Sequence, residues 1–234
     1  MTAPDTSPPS PSPWIALGVQ HAILARAMPV VRHDIAGMLT IMRMATVVLR
    51  RRAHDAAGGE ALTAQLEHQE EHLASLSDSA RRLRHWDLQG PHAPEPLAAT
   101  AQLAHALAAP LLSMRGLQLE LPAPQAPLAQ TKAPQQPLLC LLLGAIHLLA
   151  EDPQGAPGRI CILPGAGAAS LRVQAEGCAV DAPPPAPTPG MPALDSAALQ
   201  HLAQHLQAGL RHGPGWVEID APGAQAVQAA APTP

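Results

Sequence analysis

Two stretches of helical period, separated by Gly58-Gly59, limit what the N-terminal third of this chain can fold into. With residues 30–52 set at about 100° per residue, Ile35, Met38, Leu39, Met42, Ala45, Thr46 and Leu49 line up along one face. From Glu60 onward, Leu62, Leu66, Gln69, Leu73, Leu76, Ala80 and Leu83 alternate by four and three, a coiled-coil seam with Gln69 as its polar position. Glu67, Glu70, Glu71, Asp78, Arg81 and Arg82 lie between the seam residues and keep the outer face wet. Two such helices joined by a short turn make an antiparallel hairpin. A lone hairpin has one helix pair's worth of core, so pairing two hairpins into a four-helix bundle is expected.

His33 stands about half a turn from the centre of the first seam, with Gly37, Thr40, Met44 and Arg51 near its own meridian. The imidazole is thus expected to face outward on a rigid rod. Asp34 follows it, and a carboxylate beside an imidazole accepts the hydrogen of one ring nitrogen and leaves the other as a nucleophile. That chemistry suits the uptake of a phosphoryl group. A docking surface is expected around it: Gly37 permits close approach, Thr40, Ile41, Met44 and Val48 offer a small apolar patch, and Arg32 and Arg43 can steer an acidic partner.

Composition bounds the rest. With 28 Pro, no Phe, no Tyr and three Trp in 234 residues, cores must be built from Leu, Ala, Val and Met. A net charge of −4, with no basic patch interleaved with aromatics, argues against nucleic acid as a partner. Cys140, Cys161 and Cys178 sit in apolar or strand-like segments and read as reduced core thiols of a cytoplasmic protein. No apolar run is expected to reach the length of a membrane span, and the twelve His are scattered without metal spacing.

In chain order, residues 1–18 read as a disordered Pro-rich tail and 19–90 as the helical hairpin, with Pro29 expected to kink or break the first helix. Gly90 to Pro96 reads as a linker. From 91 to 222 the pattern is mixed: a helix at Leu97–Met114, a strand at Gly116–Pro122, a very apolar helix at Pro134–Ala150, strands at Arg159–Leu163 and Ser170–Ala175, a helix at Leu194–Arg211 and a strand at Trp216–Asp220. Gly213-Pro214-Gly215 is expected to turn between the last two, and 223–234 to form a disordered tail.

Arg32-His33-Asp34-Ile35-Ala36-Gly37-Met38-Leu39 resembles the phosphoacceptor box of two-component histidine kinases. Gly37 and Met38 replace the polar residue and the proline of that box, and the polar residue helps position the water for dephosphorylating a partner. Arg81-Arg82-Leu83-Arg84-His85-Trp86 resembles the end of the second helix of the kinase dimerisation domain. The order of elements after 91 is similar to the ATP-binding α/β sandwich of the same family, and Ser113 to Leu119 looks like its first helix-to-strand turn.

The resemblance also identifies losses. In Leu143-Gly144-Ala145-Ile146-His147, Gly144 stands where active kinases carry a magnesium-binding Asn. In Ala175-Glu176-Gly177, Ala175 stands at the adenine-binding Asp, with Glu176 one register away. Asp181 to Gly190 replaces a Gly-rich phosphate cradle with prolines that have no N–H to offer. The fold class expected is therefore a dimerising helical hairpin followed by a degenerate ATPase-like α/β sandwich. The resemblance implies a histidine phosphotransferase with His33 as carrier and Asp34 as its orienting group, with response-regulator receiver domains as partners. It implies no cofactor of its own, the receiver supplying the magnesium. Two alternatives stand beside it: an atypical active histidine kinase, and a non-catalytic dimeric scaffold that docks a response regulator.

Overall fold

The computed structural model describes residues 13–54, 66–77, 93–121, 128, 130–152, 157–178 and 190–226. The chain divides into two compact units, Ala27–Pro91 and the combination of Met1–Arg26 with His92–Pro234.

One helix contributes to both. α1 runs from Pro13 to His54, passing through Pro29 without a break in the helix. This corrects two expectations. Residues 13–18 are helical rather than tail, because a proline at the first helical position gives up a donor that has no intrahelical acceptor anyway. The segment as far as Arg26 belongs with the α/β unit rather than with the hairpin.

In the Ala27–Pro91 unit, α1 pairs with a second helix, α2, whose described part is 66–77. Ile35, Met38, Met42, Ala45 and Leu49 are half-buried at the expected spacing, and Gln69, His72 and Leu76 are their counterparts on α2. The Gln69 amide donates to the Met42 carbonyl and to the Thr46 hydroxyl, each at 3.3 Å, which fixes the pairing. Leu39, Leu66 and Leu73, expected at the seam, are each 51% exposed. The Gly58-Gly59 turn and the 81–86 ending lie outside the described residues.

The other unit is a two-layer α/β structure. Its main sheet has five strands, β2 (Gln118–Glu120), β4 (Pro157–Pro164), β5 (Ser170–Cys178), β6 (Gly209–Gly213) and β7 (Trp216–Asp220), in the order β2-β4-β5-β7-β6. Only the β2–β4 pairing is parallel among these. A smaller sheet joins β1 (Pro94–Pro96), β3 (Thr131–Pro134) and β8 (Gln225–Ala226) in the order β1-β3-β8. Helices α3 (Leu97–Met114), α4 (Gln135–Ala150) and α5 (Ser196–His205) complete the unit.

α4 is the core. Thirteen of its sixteen residues are buried, as a helix apolar on every side requires, and it packs against α3, α5 and the sheet. Each fully buried leucine there stabilises by roughly 1.5–3 kcal/mol. Ile160, Ile162, Leu171, Val173, Val217 and Ile219 form the helix-facing layer of the sheet. The other face is polar: Arg159 bridges Glu120 and Glu176 at 3.3 and 2.6 Å, and Arg211 bridges Glu218 and Asp220 at 2.8 and 3.1 Å.

Three expectations about this unit change. The segment expected as a linker ends in strand β1, whose prolines sit at a sheet edge where a missing N–H costs little. Residues 225–226, expected in the C-terminal tail, pair with β3. The last helix stops at His205 instead of Arg211, because Gln207 takes a left-handed φ of 55° and Gly209–Gly213 then pairs with β7. Gly213-Pro214-Gly215 therefore turns between two strands.

Among the described residues, Pro13–Arg51 and Leu97–Met114 are long and apolar enough to cross a membrane by length and composition, against the expectation of no such run. The reason is their alanine, leucine and methionine content. In α3 that apolar surface is spent internally, with Leu97, Ala101, Ala104, Leu107, Ala108 and Leu112 in the core.

Candidate functional site

Because α1 turns its half-buried Met38, Met42 and Leu49 toward α2, its opposite meridian must face outward. His33 lies on that meridian with its side chain 90% exposed, and Asp34 beside it is 40% exposed. Nδ1 of His33 is 3.8 Å from Oδ1 of Asp34, an ion-pair separation rather than a hydrogen bond. The carboxylate therefore lies on the Nδ1 side of the ring, and the His33 side chain is almost wholly exposed.

One turn further along the same face, Gly37 is exposed, and a Cβ built there would meet nothing within 4 Å. The helix surface at Gly37 is unobstructed. Thr40 is exposed, its hydroxyl donating to the Ala36 carbonyl at 2.8 Å. Ile41 and Met44 are exposed at 48% and 64%, and Val48 at 36%. Arg32 is exposed, about a quarter turn from His33 round the helix. The structure thus puts His33, Gly37, Thr40, Ile41 and Met44 on one open face, with Arg32 at its border.

The α/β unit has a different character where the resemblance places a nucleotide. A Cβ at Gly144 would come within 2.6 Å of Leu199 Cδ1 and 2.8 Å of Ile23 Cδ1. Hydrocarbon from α1 and α5 fills the space that a larger residue at 144 would need. Three residues on, His147 is buried, and neither ring nitrogen meets a protein hydrogen-bond partner. Burial lowers its pKa to about 4; nearby Glu151 opposes this, and Arg26 and Arg115 reinforce it. The ring is neutral at ordinary pH.

Sequence reasoning missed the group that holds this region. Arg26 forms a buried two-pronged pair with Glu151, Nε to Oε1 at 2.8 Å and Nη2 to Oε2 at 2.9 Å. Its remaining donors reach the Pro192 carbonyl at 2.7 Å and the Ala22 carbonyl at 3.1 Å. An arginine in an alanine-rich helix reads as surface, and no local signal announces a partner 125 residues away.

Ala175 donates its backbone N–H to the Gly215 carbonyl at 2.8 Å, and Glu176 is held by Arg159 at 2.6 Å. Beyond the C-terminal end of α4 lies a cavity of about 330 Å³ walled by Leu148, Leu149, Asp152, Asp195 and Trp216, among others. Its described wall carries carboxylates and no lysine or arginine, and the start of α5 is already capped by Asp195, which accepts from the Ala198 N–H at 2.6 Å. The proline segment 181–189 lies outside the described residues. Cys140 and Cys161 are buried free thiols, and burial pushes Cys140 up to about 12. Among the described residues, no three His, Cys, Asp or Glu side chains gather as metal ligands would.

No family model matches the chain, and no curated protein does. Solved structures do. A bacterial phosphotransferase is similar at 13% identity, covering 84% of this chain and 94% of its own, with a TM-score of 0.33. The histidine kinase AdeS of Acinetobacter baumannii is similar at 16% identity over 80% of this chain and 97% of its own, with a TM-score of 0.38. A histidine kinase from Burkholderia phymatum STM815 is similar at 17% identity over 85% and 98%, with a TM-score of 0.33. These are the kinds of protein that the sequence itself resembles.

Proposed function

We propose that this protein is a histidine phosphotransferase of a two-component phosphorelay, cytoplasmic and homodimeric, carrying a phosphoryl group on His33. The observation that carries this reading is the exposed imidazole on an unobstructed helix face, with a carboxylate on its Nδ1 side. Nε2 attacks the phosphorus of an aspartyl phosphate on a receiver domain, the P–O bond to the aspartate breaks, and the carboxylate leaves. Asp34 offsets the positive charge that develops on the ring and orients its tautomer. Transfer to a second receiver is the same step reversed, so the carrier is regenerated. Magnesium enters with the receiver, bound by the receiver's own carboxylates. In-line transfer needs positioning above all, and the Gly37, Ile41 and Met44 surface provides it.

Three observations weigh against the active-kinase alternative. Ile23 and Leu199 close the space at Gly144, Arg159 engages Glu176, and the cavity past α4 presents carboxylates where a triphosphate would need cations. Reduced Cys140 and Cys161 fit a cytoplasmic protein.

The test is phosphoryl transfer to the purified protein from a panel of phosphorylated receivers, run beside labelled ATP, for wild type and His33→Ala. The expected result is acid-labile label that comes from a receiver and is absent in His33→Ala. Label taken from ATP overturns the carrier reading in favour of a kinase. An unlabelled protein that still binds receivers, equally well with His33→Ala, makes it a scaffold.

A further inference from the structure

We infer that the α/β unit braces the helix that carries His33, with Ile23 and Arg26 as positioning residues upstream of the imidazole; for its effect on phosphoryl transfer this rests on the carrier reading. The two halves of α1 are held very differently. Ahead of His33, Ala16, Gln20, Ile23 and Ala27 succeed one another at steps of four, three and four, and all are buried. From Arg32 to Arg51 no residue is. A helix that buries so little gains nothing from starting on its own, because nucleation is costly and propagation adds one bond per residue. Anchored turns upstream supply the nucleus from which it extends.

The anchor has two parts, both inside the α/β unit. Ile23 is seated at Gly144, where its Cδ1 lies only 2.8 Å from the place a Cβ would take, so the glycine is what lets α1 come this close to α4. Glycine weakens a helix interior, and here the close seat of Ile23 offsets that cost. Arg26 fixes the register. Besides its fork on Glu151 it reaches the Pro192 carbonyl at 2.7 Å and lies 3.8 Å from Met191 Sδ, so α1, the end of α4 and the segment before α5 meet on one guanidinium. Arg26 stands seven residues, about two helical turns, before His33. Between them Pro29 has no N–H for the Ala25 carbonyl, which makes it the point where α1 gives way if its upstream side is unsupported. The packing that closes the space at Gly144 is thus the packing that seats the His33 helix, a role for the α/β unit that needs no nucleotide.

Hydrogen exchange on the full chain, read by mass spectrometry, tests this beside the rate of label transfer from a phosphorylated receiver. Arg26→Ala is expected to speed exchange at residues 30–37 about tenfold and to slow transfer, leaving residues 66–77 of α2 within about twofold. Arg26→Met with Glu151→Leu, which restores a buried pair without charge, is expected to return both readouts to wild-type values. Ile23→Val is the milder change, shortening the side chain beside Gly144, and is expected to speed exchange at 30–37 about threefold in a folded α/β unit. Faster exchange at residues 145–152 with 30–37 unchanged, in either single variant, overturns the brace: the hairpin then holds its own helix. So does a double variant that recovers protection at 145–152 and not at 30–37. Exchange is read on unlabelled protein, so a chain that exchanges as expected and takes no label fails the carrier reading alone.

Discussion

The stretch of α1 from Arg32 to Arg51 and the helix α4 are both apolar and both long, yet they are used in opposite ways. No residue of that stretch of α1 is fully buried, whereas thirteen of sixteen are in α4. An isolated helix with so little burial is marginal in water, so the hairpin depends on what it pairs with. In exchange it keeps an imidazole, a carboxylate and a bare glycine surface in reach of another protein. α4 has gone the other way: at Gly144 hydrocarbon from Leu199 and Ile23 fills the space a side chain would need, and at His147 a polar ring is enclosed without a partner. Polar groups stand open to solvent where packing is thin and are enclosed where packing is dense.

The largest effect expected from breaking this contrast is at Arg26. Arg26→Ala removes the guanidinium that neutralises Glu151 at a site where both side chains are almost completely buried, with 1% and 2% exposure. The α/β unit is expected to lose about 3–5 kcal/mol, measured as a fall in urea midpoint. Replacing both partners, with Arg26→Met and Glu151→Leu, is expected to recover most of that loss, because an apolar pair of similar volume carries no desolvation penalty. A loss below about 1 kcal/mol for Arg26→Ala would mean that the ion pair does not hold α1 to this unit.

His147 offers the next largest effect, in the form of a pH dependence. Its folded pKa of about 4 lies below the unfolded value of 6.5, so between these limits the unfolded chain binds a proton that the folded one refuses. Stability from this group is therefore whole above pH 6.5 and falls as the pH drops toward 4, by about 3 kcal/mol in all. The charges facing the ring are Glu151, which favours its protonation, and Arg26 and Arg115, which oppose it. His147→Leu is expected to flatten the stability profile between pH 6.5 and 4 and to raise stability at neutral pH by about 1 kcal/mol or more, since it removes two buried unbonded nitrogens. Urea titrations of both proteins at pH 7, 5.5 and 4.5 check this, and parallel profiles would refute it.

The same contrast explains what was legible beforehand. Helical period sufficed for α1 and α2 because one face of each is left wet, and for the outward direction of His33 for the same reason. The apolar run at 138–146 announced α4, and alternation announced β2. Three kinds of feature gave no local signal. Ile23, Gly144 and Leu199 meet through tertiary packing, so a glycine that reads as a lost ligand turns out also to be a contact point. The end of α5 at Gln207 is made by a residue other than glycine in the left-handed region, which no sequence rule marks. Strands β1, β3 and β8 are short and lean on one another, so proline and polar residues that argue against a strand in isolation are tolerated at the edges of their small sheet. The exposure of His33 and Gly37 was readable because a helix face is encoded by spacing alone; the closure at Gly144 needs three distant segments.

The smallest expected effect sharpens the hairpin side of the comparison. Gln69 donates to the Met42 carbonyl and the Thr46 hydroxyl, while that hydroxyl donates to the same carbonyl at 2.8 Å. The bonds at Gln69 are half-exposed and 3.3 Å long, so Gln69→Ala should cost about 1 kcal/mol and Thr46→Ala somewhat less. Because the two side chains share one network, the double variant should cost less than the sum, with a coupling of about 0.5 kcal/mol in thermal or urea unfolding. Strict additivity would show that the pair does not interact in solution. Gln69→Leu separates strength from specificity: a wholly apolar seam should match wild-type stability within about 1 kcal/mol while losing the polar group that admits one register. The readout is disulfide trapping of Met42→Cys with Leu66→Cys or Leu73→Cys, in the wild-type and Gln69→Leu backgrounds. Trapping at 66 or 73 in the Gln69→Leu background, where wild type resists it, would make Gln69 the register-setting residue of a hairpin that little else pins.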